Sequence, residues 1–145
     1  MTMDENHSSA KTVVLVTNQF RCERLIHAGK TLSEVSGTEL CILSVQSSLY
    51  PQNPLALEHL FNVSKQNGGE MHVTYGEDPA RQIIHFIKHN KAAQIVSGIP
   101  QDESSILYTV WRKFTHLRFF TVSEEGSIQE VTRADVPSGS RPALA

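Results

Sequence analysis

Few of the residues able to do chemistry stand at the spacings that chemistry requires. His85 and His89 are four apart, which puts both imidazoles on one side of a helix at a zinc-compatible interval. No Glu follows His85 as in the zincin pattern, and no Cys or Asp stands near enough to complete a ligand set, so the pair reads as an exposed helical face without metal. His27 and His59 are lone helical residues with the same reading. Cys22 and Cys41 form neither a metal nor a redox motif. Cys22 falls one turn into a helix, where a thiolate could be stabilised, and Cys41 in an apolar run; a buried, small, apolar role is the commoner state of both. The serines show no Gly-x-Ser-x-Gly elbow. With no nucleophile, base and orienting group to assemble, the sequence is read as that of a protein that is not an enzyme.

The residues suited to binding are clearer. Thr17, Asn18 and Gln19 follow the apolar run that ends in Val16, and they precede the helical period that begins at Phe20. They either cap the helix or hold a ligand at its positive end. Arg21 and Arg24 stand in the first turns of the same helix, where the macrodipole disfavours cations. A bound anion would offset that cost, while surface exposure beside acidic residues explains the pair more simply. Ser97, Gly98, Ile99 and Pro100 end another apolar run. There Gly98 either lets a ligand approach the backbone or only permits a turn.

These groups are positioned by alternating strands and helices. Val13 to Val16 is a continuous apolar run of the kind covered on both faces in a parallel sheet. It places strand one at about Thr12 to Thr17 and helix one at about Phe20 to Ser36, ended by Gly37. Leu25, Gly29 and Leu32, flanked by Ile26, Ala28 and Val35, form the buried stripe of helix one. Strand two is Glu39 to Val45, followed by a polar connection with a turn at Tyr50-Pro51. Asn53-Pro54 starts helix two, with Leu57, Leu60, Phe61 and Ser64 on one face and Gly68-Gly69 as its stop. Strand three, Glu70 to Tyr75, alternates apolar and polar residues as a strand near a sheet edge does. Asp78-Pro79 starts helix three with the stripe Ala80, Ile83, Ile84 and Ile87, and strand four is Ala93 to Ser97. Helix four carries Leu107, Val110, Trp111 and Phe114, and strand five is Leu117 to Val122. After the turn Ser123 to Gly126, Ser127 to Thr132 has room to add a short antiparallel strand. Residues 1–11 and 133–145 read as flexible tails around one α/β domain, 12–132, with helices on both faces of a five-stranded parallel sheet.

With 145 residues, 39% hydrophobic and 19% charged, the chain is long enough for one real core and is not wholly disordered. A net charge of −2 gives no bulk attraction to nucleic acid, and no nucleic-acid partner is expected. The apolar runs are too short to span a membrane, and the polar, acidic start is not a secretory signal. With so few cysteines, a reduced, cytoplasmic protein is the simplest reading.

The stretch VTNQFRCERLIHAGKTLSEVSGTELCILSV resembles the opening of a universal stress protein domain, closest to the variant found in potassium-responsive sensor kinases. Gly76-Glu77-Asp78-Pro79 through Ser97-Gly98 resembles the same variant's third helix and fourth strand. The resemblance covers roughly residues 12–122. It implies a flavodoxin-like (Rossmann-like) strand order 3-2-1-4-5 and a ligand cleft between strands one and four. Carried onto this chain, the cleft is walled by Val16, Thr17, Asn18, Gln19, Ser44, Val45, Ser97, Gly98, Ile99 and Pro100.

Members of the family that bind ATP use an acidic residue after strand one and a Gly-x2-Gly-x9-Gly-Ser/Thr motif after strand four. Here Thr17 and Asn18 replace the acid, and after Gly98 the motif positions hold Gln101, Trp111 and Arg112. A phosphate cradle needs unobstructed backbone N–H groups, so ATP binding by that motif is not expected and no cofactor is assigned. Kinase-borne members that bind a cyclic dinucleotide use Ser-x-Ser and Phe-Thr-Ala-x-Tyr. Thr17-Asn18-Gln19 and Leu40 to Ser44 keep that spacing but not those side chains.

The expectation is a non-catalytic sensory or regulatory domain that takes a small molecule, with nucleotides as one class. The alternative is a structural or partner-binding module with a closed cleft. Under that strand order strand five is a hydrophobic sheet edge that must be covered, by the Ser127 to Thr132 hairpin or by a second copy as is common in the family. A homodimer is therefore expected around Leu117, Phe119, Phe120, Val122, Ile128 and Val131, with a signalling protein as a further partner.

Overall fold

The computed structural model describes residues 9–48 and 53–137. The Tyr50-Pro51 turn and most of both expected tails lie outside these residues. The described chain forms one six-stranded sheet in the order β3-β2-β1-β4-β5-β6. The strands are β1 (Lys11–Val16), β2 (Glu39–Gln46), β3 (Glu70–Tyr75), β4 (Ala92–Gly98), β5 (Arg118–Val122) and β6 (Ile128–Glu130). The helices are α1 (Glu23–Ser36), α2 (Pro54–Gln66), α3 (Pro79–His89) and α4 (Ile106–Lys113). Strands β1 to β5 pair in parallel, and β6 returns antiparallel on β5.

Alternation along each strand splits the apolar residues into two cores. Val14, Val16, Ile42, Val96 and Phe120 point to one face, where Leu25 and Ile26 of α1 and Leu60 and Val63 of α2 cover them. Val13, Leu15, Leu43, Ile95 and Phe119 point to the other, under Ile83 and Ile87 of α3 and Val110 and Trp111 of α4. Each such side chain, removed from water, is worth about 1.5–3 kcal/mol. The continuous apolar run of β1 is thus the signature of a strand that contributes to both cores at once.

Helix α1 packs hard against the sheet because position 29 has no side chain. A Cβ on Gly29 would run into Val14 and come within 3.1 Å of Leu40 Cδ1. The helix ends at Gly37, whose left-handed backbone (φ 71°) turns the chain into β2. Side-chain caps start the other three helices: Asn53 accepts from the Ala56 N–H, Asp78 from Arg81 and Ser105 from Leu107.

Several sequence expectations need correction. Lys11, placed in the tail, is the first residue of β1. The start of helix one is a 3-10 turn, Phe20–Cys22, and neither it nor α1 has a side-chain cap hydrogen bond. Val35 is exposed. Helix α2 buries Ala56, Leu60, Val63 and Ser64, leaving Phe61 half in water, because its contact with the sheet is centred one residue off the expected stripe. Phe86 joins the buried face of α3, where its ring meets His72 at 5.1 Å. Beyond β6, Arg133–Asp135 forms another 3-10 turn in the segment expected to be a tail, with Asp135 accepting from the Thr132 N–H at 2.8 Å. The hydrogen bonds from Thr132 also hold the Asp135 carboxyl below its ordinary range.

Candidate functional site

The order 3-2-1-4-5 reverses direction between β1 and β4, and this is where parallel sheets open a crevice at the carboxyl ends of their strands. Strand β1 stays in register with β2 through Val16↔Ser44 but with β4 only through Val14↔Val96. Beyond that point no further β1–β4 pair forms. Thr17 and Asn18 leave one wall of the gap, and Ser97 and Gly98 form the other.

The expected site residues therefore gather at one end of three adjacent strands, but their side chains divide. Val16, Ser44 and Ser97 are buried. Ser44 accepts a hydrogen bond from buried Gln46 Nε2 at 2.8 Å, and Ser97 Oγ donates to the Gly98 carbonyl at 2.9 Å. Val45 packs into the core beneath α3 and α4, on the opposite face from Val16. Thr17, Gln19 and Ile99 are exposed, with Asn18, Gly98 and Pro100 half-buried beside them. The accessible part of the site is thus the two loops, not the strand ends. Thr17 Oγ1 lies 3.5 Å from Cys22 Sγ, and Gln19 Oε1 accepts from Arg21 Nε at 2.9 Å instead of capping the helix.

Arg24 is the residue the sequence undersold. Its Nε donates to the Ser123 carbonyl at 2.8 Å and its Nη1 to the Arg21 carbonyl at 2.9 Å, and only about 21% of its side chain is exposed. Its Nη2 lies 3.7 Å from where a Gly98 Cβ would stand. A guanidinium anchored on the end of β5 therefore leans over the end of β4. Only its place in the first turns of helix one hinted at this.

Glu23 was likewise missed. It accepts from His59 Nε2 at 2.8 Å and His27 Nε2 at 3.1 Å, joining α1 to α2, and these hydrogen bonds, His59's first, lower its pKa. Phe20 packs, tilted, against the same His59 ring with the centroids 5.3 Å apart. Gln46 could have been found by extending the alternation of Leu40, Ile42 and Ser44 by one step.

His89 Nδ1 sits 2.8 Å from the His85 carbonyl on an exposed face. Both cysteines are buried and free, and burial pushes the Cys41 thiol up to about 12. Among the described residues no cluster of three His, Cys, Asp or Glu could hold a metal. Trp111, at a motif position of the ATP-binding members, is locked in the core against Tyr108 and Phe119. A groove of about 750 Å³ lies at the opposite, amino end of the sheet, but it is wide open and Lys30 and Lys11 on its rim are paired with Glu34 and Glu39. The crevice, not this groove, lies at the carboxyl ends of the strands where the strand order reverses.

Of the expected interface residues, Phe119, Phe120 and Val122 are buried in the chain's own cores, and Leu117 and Val131 are half-buried against one of them. Ile128 is exposed on β6, which now forms the sheet edge. The hairpin has covered β5, bound by a bidentate pair from Arg118 to Glu130 at 2.9 Å.

The site and topology define a doubly wound α/β domain with a switch-point crevice. More particularly, the fold is that of the universal stress proteins. A universal stress protein from Archaeoglobus fulgidus superposes with a TM-score of 0.64 at 18% identity, covering 81% of this chain and 96% of that one. A universal stress protein in complex with cAMP gives 0.59 at 19% identity, covering 80% and 99%. The Archaeoglobus fulgidus protein in complex with dAMP gives 0.56 at 18%, covering 75% and 94%. No protein-family model matches the sequence, and no curated protein matches it either.

Proposed function

We propose that this chain is a non-catalytic regulatory domain that binds a nucleotide in the crevice between β1 and β4. The observation that carries this reading is the early end of the β1–β4 ladder at Val14↔Val96, which opens the gap between the Thr17 and Gly98 loops. Two structures with this fold are complexes with adenine nucleotides, cAMP and dAMP. The kinship to the sensor-kinase variant, a cytoplasmic setting and a signalling partner belong to the same proposal. They rest on the sequence resemblance together with the fold; among the described residues no helix is long and apolar enough to cross a membrane.

Calorimetry with cAMP, dAMP and ATP tests the reading. Saturable binding of a monophosphate is expected, with ATP weaker because Gln101 and Trp111 replace the glycines of the cradle. A Cβ at position 98 has room beside Arg24, so Gly98→Ala should leave stability unchanged, while Gly98→Leu should obstruct the ligand. Absence of any binding at about 1 mM, where even a weak site fills, would defeat the proposal. That outcome would favour the one rival with an observation behind it, a crevice closed by the protein's own Arg24.

The dimer also belongs to this proposal, in altered form. With β5 covered, a second copy would pair along β6 through Ile128, not through Phe119 and Phe120. A monomer by light scattering at tens of micromolar, roughly the range in which weak dimers form, would remove it.

A further inference from the structure

We infer that Arg21 and Arg24 form an anion subsite at the mouth of the crevice, held in the free protein by Glu124 and taken over by the phosphate of a bound nucleotide. This rests on the proposed function and names the group that would recognise the ligand's charge. Two guanidinium groups converge on one carboxylate: Arg21 Nη1 is 3.6 Å and Arg24 Nη2 3.9 Å from Glu124 Oε2. Both distances are longer than a charge-assisted hydrogen bond, about 2.7–2.9 Å, so a single carboxylate holds the pair loosely. The cations also stand at the start of a helix, where the dipole makes them costly, and Glu23, the acid of the same turn, is engaged with His59 and His27 and not with them. A phosphate carries more charge than a carboxylate and has enough oxygens to serve both guanidiniums.

The surroundings suit an exchange. Arg24 is fixed by the Ser123 and Arg21 carbonyls, which orients its fork without using its charge. Arg21 is 64% exposed and Glu124 61%, so both can swing. Glu124 can leave without unfolding its turn, because the turn is closed by backbone bonds of its own, Ser123 N–H to the Ser127 carbonyl and Gly126 N–H to the Ser123 carbonyl, both 2.9 Å. Arg24 Nη2, near Gly98, links this subsite to the β4 wall. Ligand binding then reports to the β5–β6 hairpin by releasing Glu124.

The test compares AMP with uncharged adenosine by calorimetry on the wild type, Glu124→Gln and Arg21→Gln. Arg24 is left in place because it anchors the hairpin. Removing the competing carboxylate should tighten AMP about threefold, the scale of an exposed ion pair, and leave adenosine unchanged. Arg21→Gln should weaken AMP by a similar factor and again spare adenosine. Equal effects on both ligands, or none on AMP, would overturn the subsite while leaving nucleoside binding, and so the proposed function, intact. Should neither ligand bind, the proposed function fails by itself and pyrophosphate decides the subsite. Pyrophosphate should shift the Arg21 and Arg24 Nε–Hε resonances, more so in Glu124→Gln; unmoved resonances in both proteins would overturn it.

Discussion

The two ends of the central strands are built from similar residues and put to different uses. At the amino end, Gln94 Nε2 donates to Thr12 Oγ1 at 2.8 Å and to Ser36 Oγ at 3.0 Å, and Thr38 Oγ1 lies 2.6 Å from Thr12 Oγ1 and 2.9 Å from Ser36 Oγ. Gln94 and Thr12 are buried, so this network closes β1, β4 and the end of α1 against one another with neutral groups. At the carboxyl end no β1–β4 pair forms beyond Val14↔Val96, and the links between elements are charged or exposed: Glu23 to His59, Arg24 to Ser123, Arg21 to Glu124. Polar residues that satisfy one another in the interior specify a fold. Polar residues on the two loops of the other end bond to near neighbours, Thr17 to Cys22, Gln19 to Arg21 and Ser97 to Gly98, and tie no strand to another.

The comparison breaks if the two ends cost the same to disturb. Gln94→Ala removes the hydrogen bonds donated to Thr12, Ser36 and the Leu32 carbonyl and leaves a cavity, so it should destabilise the protein by about 2–3 kcal/mol. Thr17→Ala and Ser97→Ala, at the other end, should each cost below about 1 kcal/mol, because Thr17 is exposed and the Ser97 hydroxyl bonds only the next carbonyl. Urea unfolding of the three variants reads all the values. Equal losses would mean that the crevice is as structural as the amino end.

The strands and most helix starts were legible because local rules and global fold agree there. Asn53-Pro54 and Asp78-Pro79 are helix starts in sequence and structure alike, and the four-residue apolar run of β1 is buried on both faces. The hairpin strand β6 was legible too, from the turn before it. The failures share a cause. Phe119 and Phe120 read as interface residues because a parallel edge strand needs cover, and alternation cannot say that the chain's own helices reach both faces of β5. Thr17-Asn18-Gln19 read as a cap or a ligand wall by residue type, yet no side-chain cap forms and Gln19 accepts from Arg21 instead. Arg24 reaches Ser123, far away in sequence, and no local period encodes that contact.

The smallest effect tests whether the carboxyl end answers to pH through a charged link. Glu23 bridges α1 to His59 on α2, and its pKa is lowered, first by the hydrogen bond from His59 and then by that from His27. A carboxyl whose pKa is depressed on folding adds stability that is complete above its unfolded value, roughly 4.3, and is lost as pH falls through the lower folded value. The Glu23 side chain is 43% exposed, so solvent screens it and the contribution stays below about 1 kcal/mol. Glu23→Gln should therefore be slightly less stable than the wild type at pH 6, with the gap closing as pH falls below about 4. Gln94→Ala should show no such closure, because the network it breaks carries no titrating group. Denaturant midpoints for both variants across this range decide the point. A Glu23→Gln gap that stayed constant with pH would show that the link acts through packing alone, and the contrast between the buried neutral network of Gln94 and the exposed charged link of Glu23 would lose its electrostatic half.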